Sequence, residues 1–278
     1  MSKIALMVDS ASGISKEESE SLKIHVVRMP VMVDNQEYID EETITLEAFT
    51  QHMRSGAICK TSQPPLGKII EMYEQLLKEY DEIIYLPMSS KLSGTYQTAL
   101  QASKAYDGRV TVIDSLHIAY VNIGLCEQVL KMISQGMTTS EIKEIVERDA
   151  SMWACLLPDD LIHLKNGGRI SAMAAALGNL LKIVPILKVE DGAIDVYDKV
   201  RTKRKALLMS IDAITKVENP EEYIWYVLHA DCDEEAQKLA NSIAEIVQQE
   251  VRVHPLGTIV MAHTGPDTIA LGRMKKII

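Results

Sequence analysis

Between Ser89 and Thr95 the chain sets Ser89, Ser90, Ser93 and Thr95 around Gly94. Small hydroxyls, a glycine that lets backbone come close, and the open amides of a helix start together suit an anion. The same residues also fit a plainer role, with Ser93 capping a helix and Gly94 serving the turn. A second polar turn runs Asp9, Ser10, Ala11, Ser12, Gly13. Thr61 and Ser62 stand on a third loop, stiffened by Pro64 and Pro65.

The elements around these turns read as α/β. Apolar runs at 3–8, 24–29, 83–86 and 110–113 have the character of buried parallel strands, with helical spacing at 47–55, 66–80, 96–100, 118–135 and 139–149. An irregular acidic section fills the stretch from 30 to 45. Strands alternating with helices imply an α/β/α parallel-sheet domain over 1–150. In the common order 2-1-3-4 the first and third strands flank the switch point, which would bring Asp9 and Ser10 beside Ser89 to Ser93.

From Trp153 the pattern changes to strands at 153–157, 184–189, 194–197, 223–228, 251–254 and 258–262, with helices at 202–217 and 233–249. Asp191 and Gly192 read as a hairpin turn. This second part, 151–278, is expected to be a two-layer α/β domain with a mixed sheet, and a ligand tunnel is expected at the interface. Behind Ser171 a helix rich in Ala and apolar on nearly all sides must be buried, either for close packing or to leave room for a thin guest.

Composition narrows the function classes. The 278 residues are 47% hydrophobic and 24% charged, an ordinary soluble globular balance. One Phe and two Trp against 14 Met suggest an aliphatic core able to shape itself to an elongated apolar guest, or simply an aliphatic core. A net charge of −10 argues against nucleic acid. The start lacks a signal-peptide pattern and no run reaches a membrane span. Cys59, Cys126, Cys155 and Cys232 are scattered without CxxC, which suggests neither zinc nor disulfides and fits a reduced cytoplasmic setting.

TSQPP at 61–65, SSKLSGTYQTA at 89–99, LKNGGRIS at 164–171 and HTGP at 263–266, with DS at 9–10, together resemble the DegV family over the whole chain. That family looks like bacterial fatty-acid-binding proteins that present a long-chain fatty acid to a separate ATP-dependent kinase subunit for conversion to acyl phosphate, in phospholipid metabolism. The resemblance implies a carrier rather than an enzyme, with no cofactor beyond the bound acid and no metal. It implies that Thr61, Ser93 and His263 hold the carboxylate, supported by Ser62, Gly94, Thr95 and Arg169. Arg201 matches a basic position on the kinase-facing surface. Neither a phosphate-binding GxxxxGK[ST] nor a kinase signature is present, so the kinase would be another protein.

Four positions depart from the family pattern: Gly13, Pro65, Asn166 and Asp267. Asp267 is the consequential one, since a carboxylate near the head group would lower affinity, alter the His263 pKa, or face solvent. Two other function classes remain open. In a serine esterase, Ser93 would be nucleophile, His263 base and Asp9 or Asp114 the orienter, although SGT lacks the GxSxG elbow. In a phosphate or nucleotide binder the turn would cradle phosphate, although GxGxxG is missing. The remaining histidines read as surface or satisfied core groups, with His117 able to approach the strand ends. RTKRK at 201–205 is either a solvated helix start or a surface for an acidic partner.

Overall fold

The computed structural model describes residues 2–171 and 183–278. The expected Ala-rich helix lies outside the described residues. In chain order the strands are β1 (Ile4–Asp9), β2 (Ile24–Val27), β3 (Pro30–Val33), β4 (Gln36–Ile39), β5 (Cys59–Thr61), β6 (Glu82–Leu86) and β7 (Val110–Val112). They continue as β8 (Met152–Leu157), β9 (Val184–Glu190), β10 (Ala193–Val200), β11 (Tyr223–His229), β12 (Val251–Pro255) and β13 (Ile269–Lys275). The described helices are α1 (Lys16–Leu22), α2 (Leu46–Arg54), α3 (Leu66–Leu76), α4 (Thr95–Ser103), α5 (Val121–Ser134), α6 (Thr139–Asp149) and α7 (Ile162–Gly167). Three more follow: α8 (Lys203–Thr215), α9 (Asp233–Val247) and α10 (Thr258–Thr264).

The first sheet is parallel in the order β2-β1-β6-β7. Its central strands are buried on both faces, as a parallel sheet between helices requires. Ala5 and Met7 of β1 pack with Ile69 and Tyr73 of α3 and Ala99 of α4. Leu6 and Val8 face the other way, into a core shared with Val129 of α5 and Ile142 of α6. The strand order matches the expected winding, and the polar turns after β1 and β6 leave from neighbouring strand ends.

The second sheet is mixed, in the order β10-β9-β8-β13-β11-β12. One face, with Cys155, Trp225, Val227 and Leu271, packs on α8 and α9. The opposite face, with Ala154, Leu156, Tyr226 and Leu228, enters the same core as Leu6 and Val8. The Asp191–Gly192 hairpin joins β9 to β10 with both turn residues left-handed, at φ 48° and 73°, as a primed two-residue turn needs.

Several elements differ from the sequence expectation. The acidic section after Met29 contains the β3–β4 hairpin, turning at Asp34 and Asn35, and β5 completes a three-stranded antiparallel sheet β4-β3-β5. Its strands are too short for their alternation to stand out. The run expected as a strand at 258–262 is instead α10, flanked by Gly257 and Gly265. A short apolar run has no periodicity to separate strand from buried helix. β13, unforeseen, holds the centre of the mixed sheet between β8 and β11. Its Gly272 is needed there, because a Cβ would lie 2.8 Å from Ala154 Cβ on the adjacent strand.

Candidate functional site

Thr61 ends β5 and His263 sits in the last turn of α10, and the two side chains meet: Thr61 Oγ1 lies 2.7 Å from His263 Nε2. The other ring nitrogen, Nδ1, is buried and has no hydrogen-bond partner among the described residues. Gly167 closes over it, since a Cβ at that position would stand 2.1 Å from Nδ1. Burial, and then the positive charge of Arg169, push His263 down to about 4, so the imidazole is neutral at neutral pH. Arg169 itself donates from Nε to the Leu92 carbonyl at 3.3 Å and from Nη1 to the Gly167 carbonyl at 2.5 Å.

Ser93 precedes α4. Its hydroxyl pairs with Thr95 Oγ1 at 2.9 Å and accepts from the Thr95 amide at 3.3 Å. Gly94 has φ −73°, open to any residue, so backbone conformation does not explain it. Its lack of a side chain does: a Cβ would lie 2.6 Å from Gln63 Oε1. Gln63 Nε2 in turn donates to Thr98 Oγ1 at 3.0 Å. The loop that follows Thr61, with Ser62 and Gln63, is thereby pinned to the first turn of α4, and Thr61 itself, expected on that loop, ends β5.

Thr61, Ser62, Ser93, Arg169 and His263 all line one cavity, with Met29, Met88 and Ile118 among its apolar walls. It holds about 500 Å³ of empty space, part of it open to solvent. A second cavity, with about 520 Å³ of empty space that likewise includes open solvent, shares Leu92, Ile118, Ile194, Val260 and Thr264 with the first. Its remaining walls come mainly from the inner face of the mixed sheet, including Met152, Ala154, Leu156 and Ala270. The hydroxyls, imidazole and guanidinium lie in the lining of the first cavity, and the second is lined mostly by apolar side chains.

The other expected residues stand elsewhere. Gly94 and Thr95 line neither cavity but back Ser93. Arg201 is exposed just before α8 and lines neither. Asp9 is fully buried and braces the site from behind: Oδ2 accepts from the Met88 amide at 2.9 Å and Oδ1 from the Ala11 amide at 3.1 Å. Burial pushes it up to about 6 against those two hydrogen bonds. Ser10 Oγ accepts from the Met29 amide at 3.0 Å, steadying a cavity-wall residue. Ser89 donates to the Gly192 carbonyl at 2.8 Å, docking the β9–β10 turn on the β6–α4 turn.

An esterase triad is not assembled by these contacts. Ser93 bonds to Thr95, His263 to Thr61, Asp9 to backbone amides, and Asp114 accepts from the Ser90 and Leu116 amides. His117 is buried with Nδ1 2.6 Å from the Ser115 carbonyl, and burial lowers it to about 4. Among the described residues no group of three or more His, Cys, Asp or Glu is arranged to hold a metal. Nor is any described helix long and apolar enough to cross a membrane.

The four departures have local accounts except one. Gly13 is left-handed at φ 72° and packs against Gly257, whose own Cβ would come within 2.7 Å of Gly13 Cα. Pro65 occupies the cap of α3, which therefore has no side-chain cap hydrogen bond. Asp267 is gripped by Arg54 at 2.9 and 3.0 Å. Nothing in the structure explains Asn166, exposed on α7. Sequence reasoning missed Arg54 and Gln63, whose partners are distant in the chain, and the wall residues Met29 and Ile194, which carry no local mark.

The sequence profile of a family described as an uncharacterised protein, DegV family, matches residues 3–276. A DegV domain-containing protein of Staphylococcus aureus is 34% identical over 279 residues, covering 99% of this chain and 100% of the relative. Two solved structures superpose over nearly everything. One, described as fatty acid binding of a DegV family protein from Thermus thermophilus, is 29% identical with a TM-score of 0.83, covering 99% of this chain and 100% of that one. The other, described as DegV, a fatty acid binding protein from Bacillus subtilis, is 27% identical with a TM-score of 0.85 and the same coverage.

Proposed function

This chain belongs to the DegV family, and from that premise we propose that it binds a long-chain fatty acid and presents the carboxylate to a separate kinase. The observation that carries the reading is the shared lining of the two cavities: Thr61, Ser93 and His263 line the polar one, and five residues of its wall also line the apolar one. In this reading residues 1–150 and 151–278 are two lobes with the tunnel between them.

The chemistry is a division of labour between tail and head. Burial of each CH₂ contributes about 0.8 kcal/mol, so an acyl tail of about fifteen methylenes offers about 12 kcal/mol before ordering costs are subtracted. A carboxylate leaves water only if donors replace its hydration. Thr61 and Ser93 donate hydroxyl protons, a neutral His263 donates its one N–H from Nε2 to Thr61 Oγ1 and so turns that hydroxyl toward the carboxylate, and Arg169 supplies positive charge at the same rim. Hydroxyl contacts alone leave an oxygen free for phosphoryl transfer. The transfer itself belongs to an ATP-dependent fatty acid kinase, with Arg201 on the face that meets it.

Two measurements test this. Organic extraction of the purified protein followed by mass spectrometry should yield a long-chain fatty acid; a protein that yields none and takes up no oleate counts against binding. Incubation of the chain with ATP and oleate should give acyl phosphate only when a fatty acid kinase is added, and turnover by the chain alone would overturn the division of labour.

A further inference from the structure

The segments that carry Thr61 and His263 are tied together a second time, by an ionic clasp. Arg54 ends α2, a short turn upstream of β5 and Thr61. Its Nη1 donates to Asp267 Oδ2 at 3.0 Å and its Nη2 to Asp267 Oδ1 at 2.9 Å, a two-pronged pairing. Nε donates to Asp231 Oδ2 at 2.6 Å, and Nη2 reaches the Asp231 carbonyl at 3.5 Å. Asp267 lies just beyond α10, and Asp231 just beyond β11. One planar cation thus joins three separate stretches of chain, a task suited to arginine's fork and not to a lysine point charge.

The placement is deliberate in its geometry. Asp231 and Asp267 both stand on left-handed backbone, at φ 58° and 59°, which Asp tolerates better than most residues and which aims each carboxylate from a turn. The Asp267 amide donates to the Ala230 carbonyl at 2.8 Å, so the two acidic turns are also joined to each other. Thr50 of α2 adds a contact to the same helix, its hydroxyl 3.4 Å from Met261 Sδ. The clasp therefore ties the turn that follows α10 to the end of α2, which leads over residues 55–58 into β5.

We propose that Arg54 is a positioning residue: acting through Asp267 and Asp231, it holds the end of α10 so that His263 stays opposite Thr61, and the clasp must open for the mouth to widen. The effect on ligand exchange rests on the fatty-acid reading above; the clasp itself does not. The three side chains are partly exposed, at 41%, 49% and 43% for Arg54, Asp231 and Asp267, so dissolved salt reaches them. Screening then weakens the tie.

The test uses Arg54→Ala, Arg54→Lys and Asp267→Asn in the full chain. Without any ligand, amide hydrogen exchange at Gly265 and Asp267, whose N–H groups are bonded to Met261 and Ala230 carbonyls, should quicken by about three-fold or more in Arg54→Ala. Release of bound cis-parinaric acid should quicken similarly in Arg54→Ala and Asp267→Asn, with Arg54→Lys in between. Raising sodium chloride from about 0.05 to about 0.5 M should move wild type toward the variants while leaving Arg54→Ala nearly unchanged. Unaltered amide exchange in Arg54→Ala overturns the clasp whatever the probe does. Faster exchange with wild-type release overturns its role at the mouth. A wild-type protein that takes up no probe overturns the fatty-acid reading, and amide exchange then decides the clasp alone.

Discussion

The Thr61 hydroxyl and the His263 imidazole meet at 2.7 Å although 202 positions separate them in the chain. Each orients the other, and both line the polar end of the cavity. Thr61→Val keeps the shape and removes the hydroxyl. A hydrogen bond to a charged group contributes about 1.5 to 3 kcal/mol, so oleate should bind about ten-fold or more weakly. Titration calorimetry with oleate and with methyl oleate checks this: an equal loss for both ligands would show that the hydroxyl does not read the carboxylate.

Gly167 is predicted to be the most sensitive glycine at the mouth. With a Cβ only 2.1 Å from His263 Nδ1, Gly167→Ala must push the ring aside. Oleate affinity should fall as far as in His263→Ala, while the melting temperature drops by only a few degrees. Wild-type affinity in Gly167→Ala would mean that the ring position is immaterial.

The Ser89–Gly192 contact makes a stability prediction away from the mouth. Ser89→Ala leaves the Gly192 carbonyl unpaired and should cost about 1 to 3 kcal/mol. Gly192→Ala should cost at least as much, because the backbone is left-handed at φ 73° and the new Cβ would lie 2.2 Å from Ser89 Oγ. Urea unfolding of both variants reads the cost directly; wild-type midpoints would remove this contact from the account of how the two sheets are joined.

Asp9 and His117 should pull stability in opposite directions with pH. Asp9 is raised from 3.8 to about 6, so its buried neutral form favours the fold in acid, and that contribution declines as pH rises through about 6. His117 is lowered from 6.5 to about 4, so its contribution is present above 6.5 and is lost as pH falls through about 4. Asp9→Asn removes only the first effect. Relative to wild type, its melting temperature should climb between pH 4 and pH 6 by the amount that wild type loses; parallel profiles would refute a raised Asp9.

How much of this was legible in advance depended on range. The strand, hydroxyl turn and helix at 83–100 could be read because an apolar run, a polar break and helical spacing follow one another locally. Asp191–Gly192 was legible for the same reason, two adjacent residues of the types a primed turn needs. The helix at 258–264 was not, because a seven-residue segment centred on the apolar run 259–262 and buried on most sides lacks the exposed polar face that marks a helix. The β3–β4 hairpin and β13 were missed where short strands and flanking charges hid the alternation.

The residues at the mouth divide the same way. Thr61, Ser93, Arg169 and His263 were named from motif resemblance, and the fold brings all four to one cavity wall. Gly94 leaves room for the Gln63 side chain, which no local pattern announced.

What the amino-acid order determined by itself was the alternation of strands and helices and the chemistry available in the turns, because these rest on propensities and periods spanning a few residues, whereas the sheet order followed only from the commonest winding. Only the tertiary structure decided that Asp267 answers to Arg54 rather than to His263, that Asp9 braces rather than lines the site, and that Thr61, Ser93 and His263 line a cavity sharing wall residues with a second, apolar one. Those outcomes depend on which distant side chains share a small volume and lose water there, and no local pattern records that.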